Sequence, residues 1–476
     1  MKKKRYDPPS EKRIAMNPKV NAWLNTLSGK KILVLGLGVS NRPLVRILVS
    51  RGLNVTGCDA TPYEKLDDEV LALEQAGCKL RTGPGYLDGL SGDVVFRTPG
   101  MHPSRPEIAA LKNAGAVITS EMEAFFRVCP CKIIAVTGSD GKTTTTTLIA
   151  ELLKQAGKRV WLGGNIGTPL LPLAEQMEPE DFAVVELSSF QLMDFPLSPD
   201  IAVITNLAPN HLDIHKDMDE YVGAKKNVFL HQSPEDTVIL NMDNAITHAM
   251  RKEAPGRYLE FSRHRVPKRG AYARDGVLLW AENEFKTLIM PQSDILLPGL
   301  HNVENYLAAI SAVYPYVTAR DIRTVAQNFA GVEHRIELVR VKDGVRFYND
   351  SIASSPSRTI ACLRCFPEKI ILIAGGYDKQ IPYDALGPEI CEHVKLLVLT
   401  GATAPKIREA VLSCGSAQRS CPEILEIDDF TEAVKTAAAR AKAGDAVILS
   451  PASAAFDKFK NFMVRGRFFK ELVNDL

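Results

Sequence analysis

Residues 133–147 are the feature that most restricts how this chain can fold. The apolar run Ile133–Val136 leads into a turn with glycines at 138 and 141, followed by Lys142 and five threonines. Such glycines let backbone N–H groups face an anion, and a helix that begins there adds partial positive charge. The lysine can reach the terminal phosphates of a nucleotide, and the Thr143 hydroxyl can bind Mg²⁺. This strand–turn–helix order, a shortened phosphate-loop variant, predicts a nucleotide-binding α/β domain.

Short apolar strands alternate with amphipathic helices along most of the chain, which is typical of parallel sheets covered by helices. The pattern restarts near residue 130 and again near residue 333. We therefore expect an α/β protein of three domains: an N-terminal Rossmann-like domain (1–129), a central P-loop ATPase-like domain (130–332) and a C-terminal Rossmann-like domain (333–476). The charged start of the chain, residues 1–18, is predicted to be a flexible arm.

Several elements can be placed from the sequence. Strands are predicted at Asn54–Asp59 and Phe182–Glu186, and a helix is predicted at Ala308–Val317. The Asp343-Gly344 dipeptide between two apolar runs predicts a β-hairpin, because both residue types tolerate the positive φ angles of a tight turn.

Charge and cysteine usage exclude several classes of protein. The chain has 58 lysines and arginines against 56 acidic residues, so no net field attracts nucleic acid. No apolar run reaches the roughly 18–20 residues that span a bilayer, so we expect neither membrane insertion nor secretion. The nine cysteines are scattered and lack metal-site spacing, which favours buried thiols in a cytoplasmic protein.

The first domain carries a second phosphate-binding signal. Gly36 and Gly38 follow the predicted strand Lys31–Leu35, and Asp59 ends the next strand, where a carboxylate can bind ribose hydroxyls. Asn41 stands where a dinucleotide fingerprint has its third glycine. The segment is therefore compatible with NAD and equally with another nucleotide, such as a UDP group.

Further motifs follow in one order along the chain. They are Gly163–Pro169, Glu186–Leu192, Asn206–Asp213, Ala224-Lys225, Leu297–Asn305, Glu333–Arg335, Tyr348–Ser351, Ala374–Lys379 and Ser450–Ser453. With these motifs the chain resembles the Mur ligases over nearly its whole length from about Lys30. The first two segments resemble the family members that add D-glutamate.

The resemblance implies an ATP-dependent, ADP-forming acid–D-amino-acid ligase. It would join D-glutamate to UDP-N-acetylmuramoyl-L-alanine through an acyl phosphate, in the cytoplasmic synthesis of peptidoglycan precursors for cell-wall growth, shape and division. The implied substrates are small molecules, Mg²⁺ is the implied metal, and we expect a monomer. ATP is required because a carboxylate is a poor electrophile until phosphorylation gives it a good leaving group.

The resemblance also implies roles for individual residues. The catalytic residues would be Lys142, Glu186, His211, Lys225 and Arg335. The ATP-binding residues would be Gly138, Ser139, Asp140, Gly141, Lys142, Thr143, Thr144, Asn302, Asn305, Arg335 and Asp350. The metal ligands would be Thr143, Glu186, His211 and Lys225, the last after carbamylation by CO₂.

Two further sets complete the predicted sites. The UDP-substrate set would be Val39, Ser40, Asp59, Thr98, Pro99, Gly100, Asn165, Ser188 and Gln191. The amino-acid set would be Ser354, Lys379 and Phe462.

The chain departs from the usual family pattern at a few positions. Asp140 replaces an asparagine in the phosphate loop, and Asn210 replaces an aspartate. Ile352, Ser354 and Ala455 replace a lysine, a threonine and a serine, so the identity and chirality of the amino acid stay open, although Lys379 favours a glutamate-like one.

Other functions are weighed against this hypothesis. A related Mur-type ligase could use another amino acid, such as L-glutamate, and a folylpolyglutamate-synthase-like enzyme would share the last two domains. A non-catalytic nucleotide-binding protein would bind ATP without turnover. An NAD-dependent oxidoreductase is disfavoured by Asn41 and by the second nucleotide loop.

Overall fold

A five-stranded sheet forms the first layer of the structure. The computed structural model describes residues 17–209, 214–414 and 421–476. The strands have the order β3-β2-β1-β4-β5 and run parallel. Ile32 and Val34 enter one core and Leu33 and Leu35 another, so β1 is apolar at consecutive positions. The elements are β1 (Lys31–Leu35), β2 (Asn54–Asp59), β3 (Lys79–Thr82), β4 (Val94–Arg97), β5 (Val117–Thr119), α1 (Pro18–Thr26), α2 (Asn41–Ser50), α3 (Asp68–Gln75), α4 (Pro106–Asn113) and α5 (Glu121–Val128).

A six-stranded sheet follows, with the order β11-β10-β9-β6-β8-β7 and parallel neighbours. One hydrophobic core joins it to the first sheet, because Val20 and Phe125 lie in the same cluster as Ala135 and Leu171. The elements are β6 (Lys132–Thr137), β7 (Val160–Gly164), β8 (Phe182–Glu186), β9 (Ile201–Ile204), β10 (Thr237–Asn241), β11 (Arg257–Phe261), α6 (Lys142–Gln155), α7 (Ser189–Leu192), α8 (Met218–Leu230) and α9 (Ala245–Ala249).

Smaller elements follow the second sheet. They are a three-stranded sheet of β12 (Arg269–Arg274), β13 (Val277–Glu282) and β14 (Phe285–Pro291), and the helices α10 (Leu300–Val313) and α11 (Ala319–Asn328). Short 3₁₀ segments lie at Tyr63–Lys65, Leu171–Gln176, Met250–Lys252, Gln292–Asp294 and Tyr314–Tyr316.

The third large sheet has six strands in the order β15-β16-β20-β17-β18-β19. Its β15–β16 pair is the predicted hairpin, antiparallel, with Asp343 and Gly344 at φ angles of 50° and 78°. Helices cover both faces of the sheet, which carry separate cores. The elements are β15 (Glu337–Lys342), β16 (Val345–Asn349), β17 (Ile370–Ala374), β18 (Val394–Leu399), β19 (Glu423–Glu426), β20 (Ala446–Leu449), α12 (Pro356–Leu363), α13 (Leu386–His393), α14 (Ala404–Ser413), α15 (Phe430–Arg440) and α16 (Phe462–Asp475).

These sheets confirm the predicted α/β class with its parallel, helix-covered sheets. The chain divides into two compact units. The first unit contains the described residues up to Arg274, with Leu279–Leu288 and Leu307–Asp321, and so holds the first two large sheets. The second unit contains Asp275–Leu278, Ile289–Tyr306 and the described residues from Ile322 onward. The proposed domain boundaries at 129 and 332 stay predictions.

The structure bears on three sequence-based expectations, which concern the N-terminal arm, the cysteines and membrane-spanning helices. The predicted arm was wrong at its last two positions, because Asn17 caps α1 and Pro18 begins that helix. The buried Asn17 amide also donates to the carbonyl oxygens of Val128 (3.3 Å) and Ala174 (3.0 Å). Residues 1–16 lie outside the described residues.

All nine cysteines are free thiols and seven of them are buried, as expected. Within the described ranges, every helix is too short or too polar to cross a bilayer.

Glu121 is a buried acid in the core that joins the first two sheets. Its side chain accepts a hydrogen bond from the Leu171 backbone N–H (3.2 Å), and the residue is 5% exposed. Burial raises the pKa of this carboxyl from 4.5 to about 7. A raised pKa means that the folded state binds the proton more tightly than the unfolded state does. Glu121 therefore favours folding fully below pH 4.5 and loses this contribution as the pH rises to about 7.

We expect Glu121→Gln to stabilise the protein at pH 8 by about 1–3 kcal/mol, because glutamine carries no charge to bury. The variant's urea midpoint should fall less between pH 5 and pH 8 than the wild-type midpoint. Glu64→Gln, at an exposed position, is the control and should leave the wild-type difference unchanged. An equal pH dependence in the Glu121 variant and the wild type would contradict this account.

Candidate active site

The phosphate loop lies between β6 and α6 and has the shape that its glycines predict. Gly141 caps α6 in the left-handed region with φ 77°. Gly138 has φ 148°, and a Cβ there would lie 1.9 Å from the Thr205 hydroxyl. The Lys142 ammonium donates to the carbonyl oxygens of Gly138 (3.0 Å) and Ser139 (2.9 Å). The lysine therefore lies over the loop, beside the backbone that would surround a phosphate.

Neighbouring segments hold the loop in place from the end of β9. The Thr205 hydroxyl donates to the Asp140 carbonyl oxygen (2.5 Å), and the Asp140 N–H donates to the Asn206 side chain (3.0 Å). The Ser139 and Tyr221 hydroxyls are 2.9 Å apart. Asp140 itself is exposed, so this departure from the family pattern places a carboxylate in solvent rather than in the loop's interior.

Glu186 brings together three of the predicted residues. Its Oε2 accepts a hydrogen bond from the Thr143 hydroxyl (2.7 Å), and its Oε1 accepts one from the Asn165 amide (2.8 Å). The glutamate is 2% exposed and ends β8, at the carboxyl edge of a parallel sheet, where ligands of such folds bind. A hydroxyl and a carboxylate are hard oxygen ligands, so this pair fits Mg²⁺.

No group of three or more histidine, cysteine or acidic side chains is arranged as a metal site in the part of the chain that the structure describes. His211, predicted as a ligand, lies outside the described residues.

Lys225 is a buried cation directly beneath the phosphate loop. It is 1% exposed, and its Nζ donates to the Gly138 carbonyl oxygen (2.9 Å) and the Thr137 hydroxyl (3.2 Å). The ring centroid of Tyr221 lies 4.9 Å from the same nitrogen, a cation–π distance. Burial is the main cause that holds the pKa of Lys225 well below its usual range, and the positive charge of Lys142 is the second cause. No carboxylate among the described residues pairs with it.

The segment after β8 forms a compact turn. Ser188 caps α7, and its N–H (2.9 Å) and hydroxyl (3.0 Å) both donate to the Gln191 side chain in a capping box. His215, which sequence reasoning missed, lies 2.9 Å from the Ser189 hydroxyl and stacks on Phe190. The predicted substrate residues are thus fixed to each other, and His215 supports the turn from behind.

The second predicted nucleotide-binding loop follows β1 in the first sheet. The Leu37 N–H donates to the Asp59 carboxylate (2.8 Å), and the Thr61 N–H also donates to it (2.9 Å). Burial raises the pKa of this carboxyl, but hydrogen bonds from Leu37 and Thr61, together with the charge of Arg42, outweigh burial and bring the pKa below its usual value. Asn41 donates to the Gly36 carbonyl oxygen (2.8 Å) and so closes the loop in place of a third glycine.

Thr98 packs against this loop. A Cβ at Gly36 would lie 2.9 Å from the Thr98 methyl group, and the Thr98 N–H donates to the Leu35 carbonyl oxygen (3.0 Å). Thr98 begins the predicted segment Thr98-Pro99-Gly100 directly after β4. Val39 is 75% exposed. Ser40, which immediately precedes α2, is half-buried. Both side chains therefore have surface open to a ligand at this edge of the sheet.

The remaining predicted ATP residues belong to the second unit. Asn302 and Asn305 are each 5% exposed, and the Asn305 amide donates to the Asn302 side chain (3.0 Å). Asp350 is buried, accepts from the Ser450 hydroxyl (2.7 Å) and has its pKa raised by burial to about 6. Arg335 lies between His334 and Ile336, which have positive φ angles of 66° and 44°. Positive φ angles are strained for residues that carry a side chain, so the backbone on both sides of Arg335 is strained.

The third sheet offers a crevice between β17 and β20. These neighbouring parallel strands lead to α13 on one face and α16 on the other. Ligands of open α/β sheets bind at such a switch point. Lys379 lies in the loop after β17 and is exposed, whereas Phe462 begins α16 and is half-buried. Ser354 lies in the loop after the neighbouring strand β16.

Arg465 is a residue of this crevice that sequence reasoning missed. It is 2% exposed and donates to the Ser351 hydroxyl (3.0 Å) and to the carbonyl oxygens of Ser351 (2.9 Å), Ser453 (3.1 Å) and Ala454 (3.0 Å). One guanidinium thus joins the loops that follow β16 and β20. Burial lowers its pKa to about 10, so it stays charged at neutral pH. A basic residue on a helix gives no sequence signal for this role.

Comparison with known proteins gives one family. The Mur ligase middle domain matches residues 136–313, and the Mur ligase glutamate ligase domain matches residues 334–453. A UDP-N-acetylmuramoylalanine–D-glutamate ligase of Acetivibrio thermocellus is 53% identical over 97% of this chain and 100% of its own. One of Ruminiclostridium cellulolyticum is 49% identical with the same coverage.

Solved structures share the fold. A UDP-N-acetylmuramoylalanyl-D-glutamyl-2,6-diaminopimelate–D-alanyl-D-alanyl ligase of Acinetobacter baumannii has a TM-score of 0.58 at 16% identity, covering 96% of this chain and 99% of its own. The UDP-N-acetylmuramate-alanine ligase of Thermotoga maritima has a TM-score of 0.57 at 18% identity, with 94% and 99% covered. At this identity the likeness concerns the fold.

We expect Gly138→Ala to weaken ATP binding at least about 10-fold, because the new methyl group would collide with Thr205 and displace the loop. Isothermal titration with an ATP analogue measures this. Gly223→Ala is the matched control, since Gly223 lies in α8 with nothing within 4 Å of an added Cβ. Wild-type affinity in the Gly138 variant would contradict the close approach described here.

Proposed function

The chain belongs to the Mur ligase family, and from this premise we propose how its residues carry out the reaction. It is an ATP-dependent, ADP-forming ligase that adds D-glutamate to UDP-N-acetylmuramoyl-L-alanine in peptidoglycan synthesis. The observation that carries the residue assignment is the convergence of Lys142, the Thr143–Glu186 pair and Lys225 at the carboxyl edge of the second sheet.

The first chemical step needs charge neutralisation. The substrate carboxylate attacks the γ-phosphorus of ATP, the bond to the bridging oxygen breaks, and ADP leaves with that electron pair. Both reactants are anions, so cations must lower their repulsion. We propose that Lys142 turns from its loop carbonyls towards the transferring phosphoryl group, while the loop N–H groups at Gly138–Gly141 bind the phosphates.

Thr143 and Glu186 would hold Mg²⁺ next to the nucleotide. When bound, this ion neutralises phosphate charge and orients the phosphates. Asn165 fixes the Glu186 carboxylate from the other side, so the carboxylate keeps one orientation. His211 joins the set of metal ligands by resemblance alone.

The second step forms the amide. The amine of D-glutamate attacks the acyl carbon, the C–O bond to phosphate breaks, and inorganic phosphate leaves. We propose that Lys379 binds a carboxylate of the amino acid, with Ser354 and Phe462 beside it. Asn302, Asn305, Arg335 and Asp350 would contact ATP. The first-domain loop, with Asp59 and Thr98–Gly100, would hold the UDP group, and Asn165, Ser188 and Gln191 would hold the muramoyl-alanine arm.

We further propose that Lys225 is carbamylated. Its amine is buried against two oxygen atoms and lacks an acidic partner among the described residues. The Lys225 ammonium first loses a proton, which its lowered pKa favours. The neutral amine then attacks CO₂, an N–C bond forms, one C=O π bond becomes a carboxylate oxygen, and a second proton leaves to solvent, so that the lysine becomes an anionic oxygen ligand. Carbamylation would therefore remove the repulsion between Lys225 and Lys142. We also propose that the enzyme acts as a monomer in the cytoplasm.

The reaction can be tested by measuring phosphate release from ATP with Mg²⁺ and UDP-N-acetylmuramoyl-L-alanine. We expect release with D-glutamate and little with L-glutamate, D-aspartate or no amino acid. Preference for another amino acid would keep the mechanism and assign the altered specificity to Ile352, Ser354 and Ala455. A folded, ATP-binding protein that releases phosphate with none of them would overturn the enzyme assignment.

Neighbouring lysines provide a matched test of the carbamylation proposal. We expect Lys225→Ala to reduce kcat at least about 100-fold, because one charged group at a reacting phosphate is worth several kcal/mol. Lys226→Ala should stay within about two-fold of wild type, since Lys226 only pairs with Glu253 on the surface (2.7 Å). Wild-type activity should fall in CO₂-depleted buffer and return with bicarbonate. Wild-type activity that does not change on CO₂ depletion would contradict carbamylation. A loss of activity in Lys225→Ala would then show only that the lysine itself is required.

A further inference from the structure

Two large aromatic side chains are exposed at the crevice of the third sheet. Tyr377 is 44% exposed and Phe456 is 61% exposed. Their ring centroids are 5.8 Å apart at an interplanar angle of 75°, an edge-to-face pair. Exposing the apolar surface of an aromatic ring to water costs free energy, and a ligand that covers the ring removes this cost. An exposed aromatic pair at the mouth of a crevice is therefore a candidate for ligand contact.

The pair is held by backbone contacts rather than by side-chain packing alone. Tyr377 follows β17 and Phe456 follows β20, the two strands at the switch point. The Tyr377 N–H donates to the Ala454 carbonyl oxygen (2.9 Å). Gly376 approaches so closely that a Cβ there would lie 2.3 Å from the same oxygen. The two loops are therefore locked together, and the rings stand side by side as a preformed wall.

Lys379, two residues after Tyr377, is an uncompensated cation in the same loop. Lys379 is exposed and has no hydrogen-bond or ion-pair partner among the described residues. The neighbouring Asp378 carboxylate is paired with Lys406 (2.6 Å), so it does not neutralise Lys379. A positive charge next to an apolar wall is complementary to a carboxylate on a short aliphatic stem.

We propose that Tyr377 and Phe456 form the surface against which the side-chain methylenes of the incoming amino acid pack, so that they select the acidic amino acid by the length of its stem. Glutamate has one methylene more than aspartate, and that group would lie on the rings while Lys379 binds a carboxylate. The inference rests on the proposed function of this crevice, and it adds two specificity residues to the predicted amino-acid set of Ser354, Lys379 and Phe462.

The wall predicts a specific kinetic pattern. Tyr377→Ala and Phe456→Ala should each raise KM for D-glutamate about five- to ten-fold, because a methylene that leaves an apolar surface loses about that factor. KM for ATP and for UDP-N-acetylmuramoyl-L-alanine should stay within two-fold. The preference for D-glutamate over D-aspartate, measured with D-aspartate as a substrate or as an inhibitor, should shrink. Tyr377→Phe keeps the ring and should restore wild-type values.

The control is Phe285→Ala, which removes a 78% exposed aromatic ring from β14 and should change none of these constants. Both target rings are exposed, so their variants should fold, and melting curves check this. An active wild type with unchanged D-glutamate KM and unchanged preference in the alanine variants would overturn this inference alone. A wild type that releases no phosphate with D-glutamate would overturn the proposed function and this inference with it.

Discussion

The close approach of Gly138 to Thr205 is the constraint on which the first unit's chemistry depends. Only a residue without a side chain can pass the Thr205 hydroxyl at this distance. The approach brings the loop backbone to the ends of β6, β8 and β9, where Glu186, Thr143 and Lys225 meet it. The chemistry of the second sheet thus depends on a glycine, because any larger side chain at position 138 would prevent this approach.

Lys142 and Lys225 lie next to the same loop and repel each other when both are protonated, and burial adds to the cost of the charge on Lys225. Lys142 and Lys225 both donate to the Gly138 carbonyl oxygen, at 3.0 and 2.9 Å. Backbone oxygens carry only partial negative charge, so they offset the repulsion between two ammonium groups incompletely. A site that keeps such charges together stabilises an anionic ligand more strongly than a neutral one. This arrangement suits a reaction between a carboxylate and a triphosphate, and it is the electrostatic reason for the carbamylation proposed at Lys225.

The sequence predicted the buried strands well, because strands covered on both faces are apolar at consecutive positions. The bounds of Asn54–Asp59 and Phe182–Glu186 are as expected. The sheet β12–β14 was not predicted, since much of β14 is exposed and its pattern is mixed. The helix predicted at Ala308–Val317 begins earlier, at Leu300, and ends at Val313. The phosphate loop followed from local spacing. The role of Arg465 could not be predicted, because its partner Ser351 is 114 positions away in sequence and only the fold brings the two together.

The two sheets with proposed chemistry use the same structural device. In each, a glycine just after a central strand lets the next loop approach within reach of a hydrogen bond: Gly138 beside Thr205, and Gly376 beside Ala454. The loop in the second sheet presents N–H groups and cations, which suit phosphates. In the third sheet the loop after β17 presents Lys379 and the Tyr377 ring, and the loop after β20 presents the Phe456 ring, which suit a small amino acid with a charged end. The backbone geometry is shared, and the side chains placed on it decide which ligand each crevice can bind.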